Sequence, residues 1–375
     1  MTATSVIMSA LTLAATSGDL PVNGGVRLPE SLVGNPLVEE WDTPYQTPPF
    51  SEIELAHYEP AFDYAIAVNR AEVEAIINNP EAPTFENTIV AMTESGELLG
   101  RVAGLFFVLN NCSTSDEMQQ IAMNITPKLT ELENDISLNP ELFARVKAVY
   151  DQRKKLKLDE QDMQLLEDTY KGFARSGALL EGRDKELYRE YSSELSQLTL
   201  KFGQNAQAAT NAFSYNITDP AKVEELPAFV KEGLAAEAEA RGEKGWTVTL
   251  HAPSYSPFMT YSTQRDIKEA LYRAYNTRGI GGETDNVENI RRIAELRLKI
   301  ANLLGYKCYA DYVLEDRMAE STKTVNGFLA ELNKATLSYA KKDVAAITEY
   351  AHSLGFEGEL APWDFGYYNE KYKEA

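Results

Sequence analysis

From Leu187 to Ala212, residues fit for burial return every three or four positions: Leu187, Tyr191, Leu195, Leu198, Phe202, Asn205, Ala209 and Ala212. That period gathers all eight on one side of an α-helix, whereas a strand would scatter them over both faces. The spacing predicts a helix over residues 184–213, roughly 45 Å long at 1.5 Å per residue. The small residues at its far end let a neighbour approach closely. An element of this length commits the chain to helix-on-helix packing.

The same period recurs along most of the sequence. Phe85, Ile89, Met92, Gly96, Leu99, Val102 and Phe106 form one stripe, read as a single long helix opened by Thr84 as N-cap. Met118, Ile121, Ile125, Leu129, Leu132 and Ile136 form a second, with Pro127 expected to kink or divide it. Asn139 before Pro140 signals another helix start, and Gly177 closes a stripe through Met163, Leu166, Tyr170 and Phe173. Further stripes run through Ile267, Leu271 and Tyr275, then Ile290, Ile293, Leu296 and Ile300, and lastly Val325, Phe328, Leu332, Ala335 and Tyr339. Only Phe213–Ile217 and Trp246–Leu250 alternate like strands, and an Ala/Glu-rich helix over 228–241 separates them. The expected fold is therefore nearly all-α, with one small strand pair at about 213–218 and 246–250. No fixed repeat of solenoid length appears.

Residues 19–50 carry Pro21, Gly24, Gly25, Pro29, Gly34, Pro36, Pro44, Pro48 and Pro49, which predicts an extended arm rather than a helix. Ahead of it, residues 5–16 are apolar and small, and no Lys or Arg precedes Arg27. Residues 1–18 read equally as a signal-peptide remnant lacking its basic start or as a disordered tail. No apolar run reaches the length a membrane-spanning helix needs.

The 375 residues bear 36 basic and 57 acidic side chains, a net charge of −21, which argues against a nucleic-acid partner. The two cysteines, Cys112 and Cys308, are too distant in sequence to suggest a thiolate metal site or a disulfide framework. A catalytic zinc of the H-E-x-x-H type needs two histidines one helical turn apart. The three histidines, His57, His251 and His352, have no such partner. Nor is there a G-x-S-x-G elbow or a phosphate loop. The cluster Gly279–Asn286 lacks the alternating oxygens of a calcium loop and reads as a turn ending in a helix cap. The residues thus name no catalytic and no metal-binding side chain, and leave any substrate-binding one unassigned.

Several ordered segments carry a resemblance. They include Pro49-Phe50 through His57-Tyr58-Glu59-Pro60-Ala61-Phe62, then Pro83-Thr84-Phe85-Glu86-Asn87-Thr88-Ile89, Ser95-Gly96-Glu97-Leu98-Leu99 and Leu138-Asn139-Pro140-Glu141-Leu142-Phe143. They continue with Phe173-Ala174-Arg175-Ser176-Gly177-Ala178, Pro253-Ser254-Tyr255, Tyr272-Arg273-Ala274-Tyr275-Asn276-Thr277-Arg278, Leu303-Leu304-Gly305-Tyr306, Arg317-Met318-Ala319 and Pro362-Trp363-Asp364 with Tyr367-Tyr368. In this order, over residues 45–372, they resemble the amino-terminal half of the family of thimet oligopeptidase, oligopeptidase A and peptidyl-dipeptidases. The loop Gly281–Asn286 and the Ser95-Gly96 turn look more like the peptidyl-dipeptidase branch.

The resemblance implies a helical zincin-type ellipsoid with a deep central channel, residues 51–375 supplying a wall and part of the lid. It implies short peptides as substrates and a zinc ion in the complete enzyme, none in this chain, with the zinc-binding helix later than Ala375. A partner follows, the missing catalytic half, and self-association of the fragment is expected in its absence. The compartment implied is the cytoplasm, or the periplasm if residues 1–18 are a leader remnant. An oligopeptidase A-like endopeptidase is the nearest alternative, and a non-enzymatic helical scaffold for peptides or proteins is the alternative of another class.

Overall fold

The structure is a computed structural model that describes residues 22–375. The readings made for residues 1–18 lie outside the described residues. Two compact units divide the chain, one ending at Leu179 and the other running from Leu180 to Ala375.

In the amino-terminal unit the arm is pinned rather than free. Val22–Asn23 (β1) and Val26–Arg27 (β2) form a short antiparallel hairpin, a second strand pair that the alternation did not signal. Two residues per strand are too few for a period of two to register. Leu28, Leu32, Leu37 and Val38 are buried, and Asn35 donates to the carbonyl of His57 at 3.0 Å. Proline supplies the extended turns, and the four apolar side chains hold them in place.

Helix α1 (Tyr58–Ile77) is the axis of this unit. Its Phe62 meets Phe106 of α3 (Glu97–Cys112) edge-to-face at 5.6 Å, and both rings are fully buried. Helix α4 (Asp116–Ser137) lies parallel to α1, joined by Asn124 to Glu59 at 2.6 Å, Lys128 to Asp63 at 2.5 Å and Arg70 to Asp135 at 2.6 Å. Each pair is separated by 65 residues, which requires the two helices to run in register in the same direction. Pro127 lies inside α4 without dividing it, because this ladder continues on both sides of the lost hydrogen bond. Helices α5 (Pro140–Asp151), capped by Asn139, and α6 (Glu160–Arg175) close the core through Phe143, Val146, Leu166 and Phe173.

The helix expected from Phe85 to Phe106 is broken in two. Thr84 caps a π-helical turn, Phe85–Val90, which runs into α2 (Ala91–Glu94); Ser95 then turns extended before α3 begins. Gly96 stands at φ +77° and donates its N–H to Glu72 at 2.7 Å. A Cβ there would lie 2.9 Å from Nδ2 of Asn69, so glycine is what lets the break sit against α1.

The carboxyl-terminal unit opens with α7 (Gly182–Ala212), within two residues of the predicted helix. Helix α11 (Val287–Leu303) packs along it, and Arg292 bonds Glu194 at 2.5–2.6 Å. The expected strand pair is present as β3 (Ser214–Ile217) and β4 (Trp246–Thr249), antiparallel with Ser214 opposite Thr249. Helix α8 (Ala228–Ala240) bridges the strands, and α9 (Ala252–Tyr261) and α10 (Arg265–Asn276) complete a core of Val230, Leu234, Val248, Phe258, Ile267 and Leu271. Helices α12 (Tyr309–Leu314), α13 (Thr322–Ser353) and α14 (Pro362–Glu374) follow.

Gly245 leads into β4 at φ +92°, and a Cβ on it would fall 2.2 Å from the carbonyl oxygen of Ile217. Gly245→Ala should therefore destabilise the carboxyl-terminal unit by about 2–3 kcal/mol, from a strained φ plus a displaced strand. The denaturant midpoint of that unit checks it, with an unchanged slope expected.

Candidate functional site

The three histidines serve local structure. His57 Nδ1 accepts from the N–H of Glu54 at 3.0 Å. His251 lies between Thr249 Oγ1 at 3.2 Å and Asn211 Oδ1 at 3.0 Å. His352 Nε2 donates to the Gly358 carbonyl at 2.8 Å. Cys112 ends α3 and Cys308 caps α12, so the thiols stand in separate units. A catalytic zinc needs imidazole or carboxylate donors converging on one point. Among the described residues no group of three His, Cys, Asp or Glu side chains converges in that way. The residues present do not fit a catalytic zinc.

What the carboxyl-terminal unit builds instead is a charged clamp between α10 and α14. Pro362 opens α14 at its first position, and Asp364 at the third reaches back to accept the N–H of Ala361 at 2.9 Å. The same carboxylate takes Nε of Arg265 at 3.0 and 3.1 Å and Nη2 at 3.0 Å. Asp364 is 1% exposed, so its charge is held by these donors rather than by water. Arg265 also lies over the rings of Phe356 and Trp363, at 5.7 and 5.8 Å. Arg273, two turns on, covers Trp363 from 5.4 Å.

Lys268, on the same helix, is 2% exposed, and its amine sits 4.8 Å from the ring centre of Tyr367. Burial lowers its pKa from 10.5 to about 8, with the Asp364 charge opposing and the Arg265 charge assisting. The clamp fixes α14 on α10. Pro362-Trp363-Asp364 stands out in the sequence as a motif, but nothing in the sequence pairs Asp364 with Arg265, 99 residues earlier. The position of an acid just after a helix-opening proline was the one available signal.

Helix α7 has no fully buried residue along its length, and α11 packs along it. Helix α13 presents an apolar face with nothing over it among the described residues. On α13 the apolar stripe is exposed, with Phe328 at 63% and Tyr339 at 66%, and Leu329, Leu332, Leu337 and Val344 exposed beside them.

Residues 258–375, which contain the clamp and α13, match the sequence model of peptidase family M3. The chain is 34% identical over 342 residues to the dipeptidyl carboxypeptidase of Escherichia coli K12, an alignment that covers 90% of this chain and 50% of that protein. This chain belongs to peptidase family M3. It is also 31% identical over 345 residues to oligopeptidase A of Salmonella typhimurium, covering 91% of this chain and 50% of the relative. Saccharolysin of Saccharomyces cerevisiae aligns at 23% over 300 residues, 78% of this chain and 41% of that protein. Of these three, the dipeptidyl carboxypeptidase has the highest identity, in line with the branch indicated by the Ser95-Gly96 turn and the Gly281–Asn286 loop. The chain spans about half the length of the curated relatives it matches.

Proposed function

We propose that this chain is the non-catalytic portion of a zinc metallopeptidase of family M3 that acts on short peptides and releases dipeptides from their carboxyl ends. Its long helices wall a channel that admits extended peptides and excludes folded proteins, so that binding energy orders the substrate. The observation that carries this reading is 34% identity, spread over 90% of the chain, to a dipeptidyl carboxypeptidase. The zinc-binding half is the partner, and short peptides are the substrates.

The expected result is that purified residues 1–375 bind no stoichiometric zinc and cleave no peptide. With a zinc-binding half supplied, dipeptides should be released on the order of 10⁶-fold or more above the uncatalysed rate. One tightly held zinc per isolated chain would sink the proposal, and cleavage at internal bonds would move it to an oligopeptidase A-like reading. For compartment, the family reading is the cytoplasm; sequencing the mature amino terminus tests it, since removal of residues 1–18 would indicate the periplasm instead.

The exposed face of α13 supports the same reading. A helix of 32 residues bearing Phe328, Leu332 and Tyr339 in solvent has little reason to carry them unless another surface covers them. In isolation the chain should therefore self-associate, its light-scattering mass rising above 41.8 kDa with concentration. Replacing Phe328, Leu332 and Tyr339 together by Gln should hold the mass at the monomer value. A wild-type chain that stays monomeric at high concentration speaks against the covered-face reading.

A further inference from the structure

Two adjoining cavities, of about 560 and 300 Å³, lie where the arm meets α3 in the amino-terminal unit. They share Glu40, Glu97 and Arg101. Acidic side chains alone say little in a chain of net charge −21, and the informative residue is Arg101. Glu97 precedes it by one helical turn. At that order and spacing Glu237–Arg241, Glu269–Arg273 and Glu295–Lys299 all form ion pairs, at 2.7, 2.8 and 2.6 Å. Among the described residues no such pair joins Glu97 to Arg101. The Arg101 guanidinium instead lies over the ring of Trp41 at 5.0 Å, and its Nη2 donates to the Leu37 carbonyl at 3.3 Å. Trp41 is itself fixed, its indole N–H donating to the Pro36 carbonyl at 2.7 Å. The arm thus holds the guanidinium away from the carboxylates. Its Nε is buried without a partner, and one hydrogen bond leaves most of the five donors of a guanidinium unused. Burial works against the charge of Arg101, while Glu97 and Glu40 sustain it from a distance.

A cation and two carboxylates therefore face one space without closing on each other. A plain anion entering it would be repelled by Glu40 and Glu97, and a plain cation by Arg101. A molecule that carries both charges satisfies each group. The smaller cavity adds an apolar recess formed by Val38, Val68 and Leu98. We propose that this space binds a small zwitterion, its ammonium group beside Glu40 and Glu97, its carboxylate on Arg101 and an apolar side chain in the recess. A free α-amino acid and a dipeptide share this chemistry. Every residue of the site belongs to the amino-terminal unit.

The test is titration calorimetry on the full chain with L-leucine and L-leucyl-L-leucine, each beside its N-acetylated and its C-amidated form. Saturable one-to-one binding of the zwitterion is expected, with either block weakening it at least about tenfold. In the double variant Glu40→Gln/Glu97→Gln, at two exposed positions, acetylation should weaken binding by less than about twofold. In Arg101→Gln amidation should likewise stop mattering, and Arg101→Lys, which keeps the charge but not the planar fork, should restore part of its effect. The tighter of the two ligands identifies the source as a free amino acid or a dipeptide, and either supports the site. Absence of saturable binding by both ligands up to about 10 mM overturns the proposal. So do blocked forms that bind as well as the zwitterions. A blocking effect that persists unchanged in all three variants would place the ligand on another surface of the chain and overturn it equally.

Discussion

Asp364→Ala should lower the melting temperature of the carboxyl-terminal unit by about 6–12 °C, the largest loss expected from any single truncation in the clamp. The estimate starts from the cost of breaking a buried, hydrogen-bonded ion pair, 3–5 kcal/mol. Arg265 is half exposed and can regain water when its partner is removed, so the lower end, about 3 kcal/mol, is appropriate. A unit running from Leu180 to Ala375 shifts by roughly 2–4 °C per kcal/mol. Two further consequences point the same way. The N–H of Ala361 loses its acceptor at the start of α14, and the amine of Lys268 loses the negative charge that opposes its desolvation. Asp364→Asn, which keeps an acceptor for the cap but not the charge, should fall between wild type and alanine. Calorimetry on the three proteins decides it, and a shift below 2 °C for alanine would show that the clamp is not structural. Arg265→Ala alone should cost less than Asp364→Ala, and the double variant little more than Asp364→Ala, because both remove one interaction.

That asymmetry also explains which parts of this molecule could be read from the sequence. Helix starts were legible wherever the signal is local: Thr84 and Asn139-Pro140 cap as expected because an N-cap acts on N–H groups two or three residues away. Family membership was legible for a similar reason, since short ordered segments survive as text. The break at Gly96 was not, because its cause is Asn69, which lies one helix away in space. Periodicity carried the stripe from Phe85 to Phe106 across the break, as both pieces turn the same side to the core. On α13 the periodicity marked the helix and was silent on burial. An apolar stripe reports that a face is suited to being covered, and says nothing of what covers it. The clamp was invisible in a third way: Arg265 and Asp364 are ordinary charged residues until α10 and α14 bring them within 3.0 Å.

The clamp contains one group that works against the fold. Lys268 has a pKa of about 8 in place, against 10.5 when free in solvent, so the folded state binds its proton less tightly than the unfolded state. Below pH 8 both states are protonated and the full penalty applies, about 3 kcal/mol at 1.36 kcal/mol per unit. Between pH 8 and 10.5 the folded chain has released this proton while the unfolded chain keeps it, so stability contributed at this position rises with pH. Above 10.5 the penalty is gone. Lys268→Met fills the same elongated space with no charge, and forfeits only the contact with the Tyr367 ring, about 0.5–1 kcal/mol. The variant should be more stable than wild type by about 2 kcal/mol at pH 7. The advantage should shrink through pH 8–10.5 and vanish above it, which a series of denaturant midpoints for both proteins measures directly. A constant difference across that range would mean that packing, and not the buried charge, sets the effect. A chain that keeps a destabilising cation where methionine would fit has a reason other than fold stability to hold positive charge between α10 and α14. In this structure that charge lies beside Asp364, whose two carboxylate oxygens Arg265 already bonds.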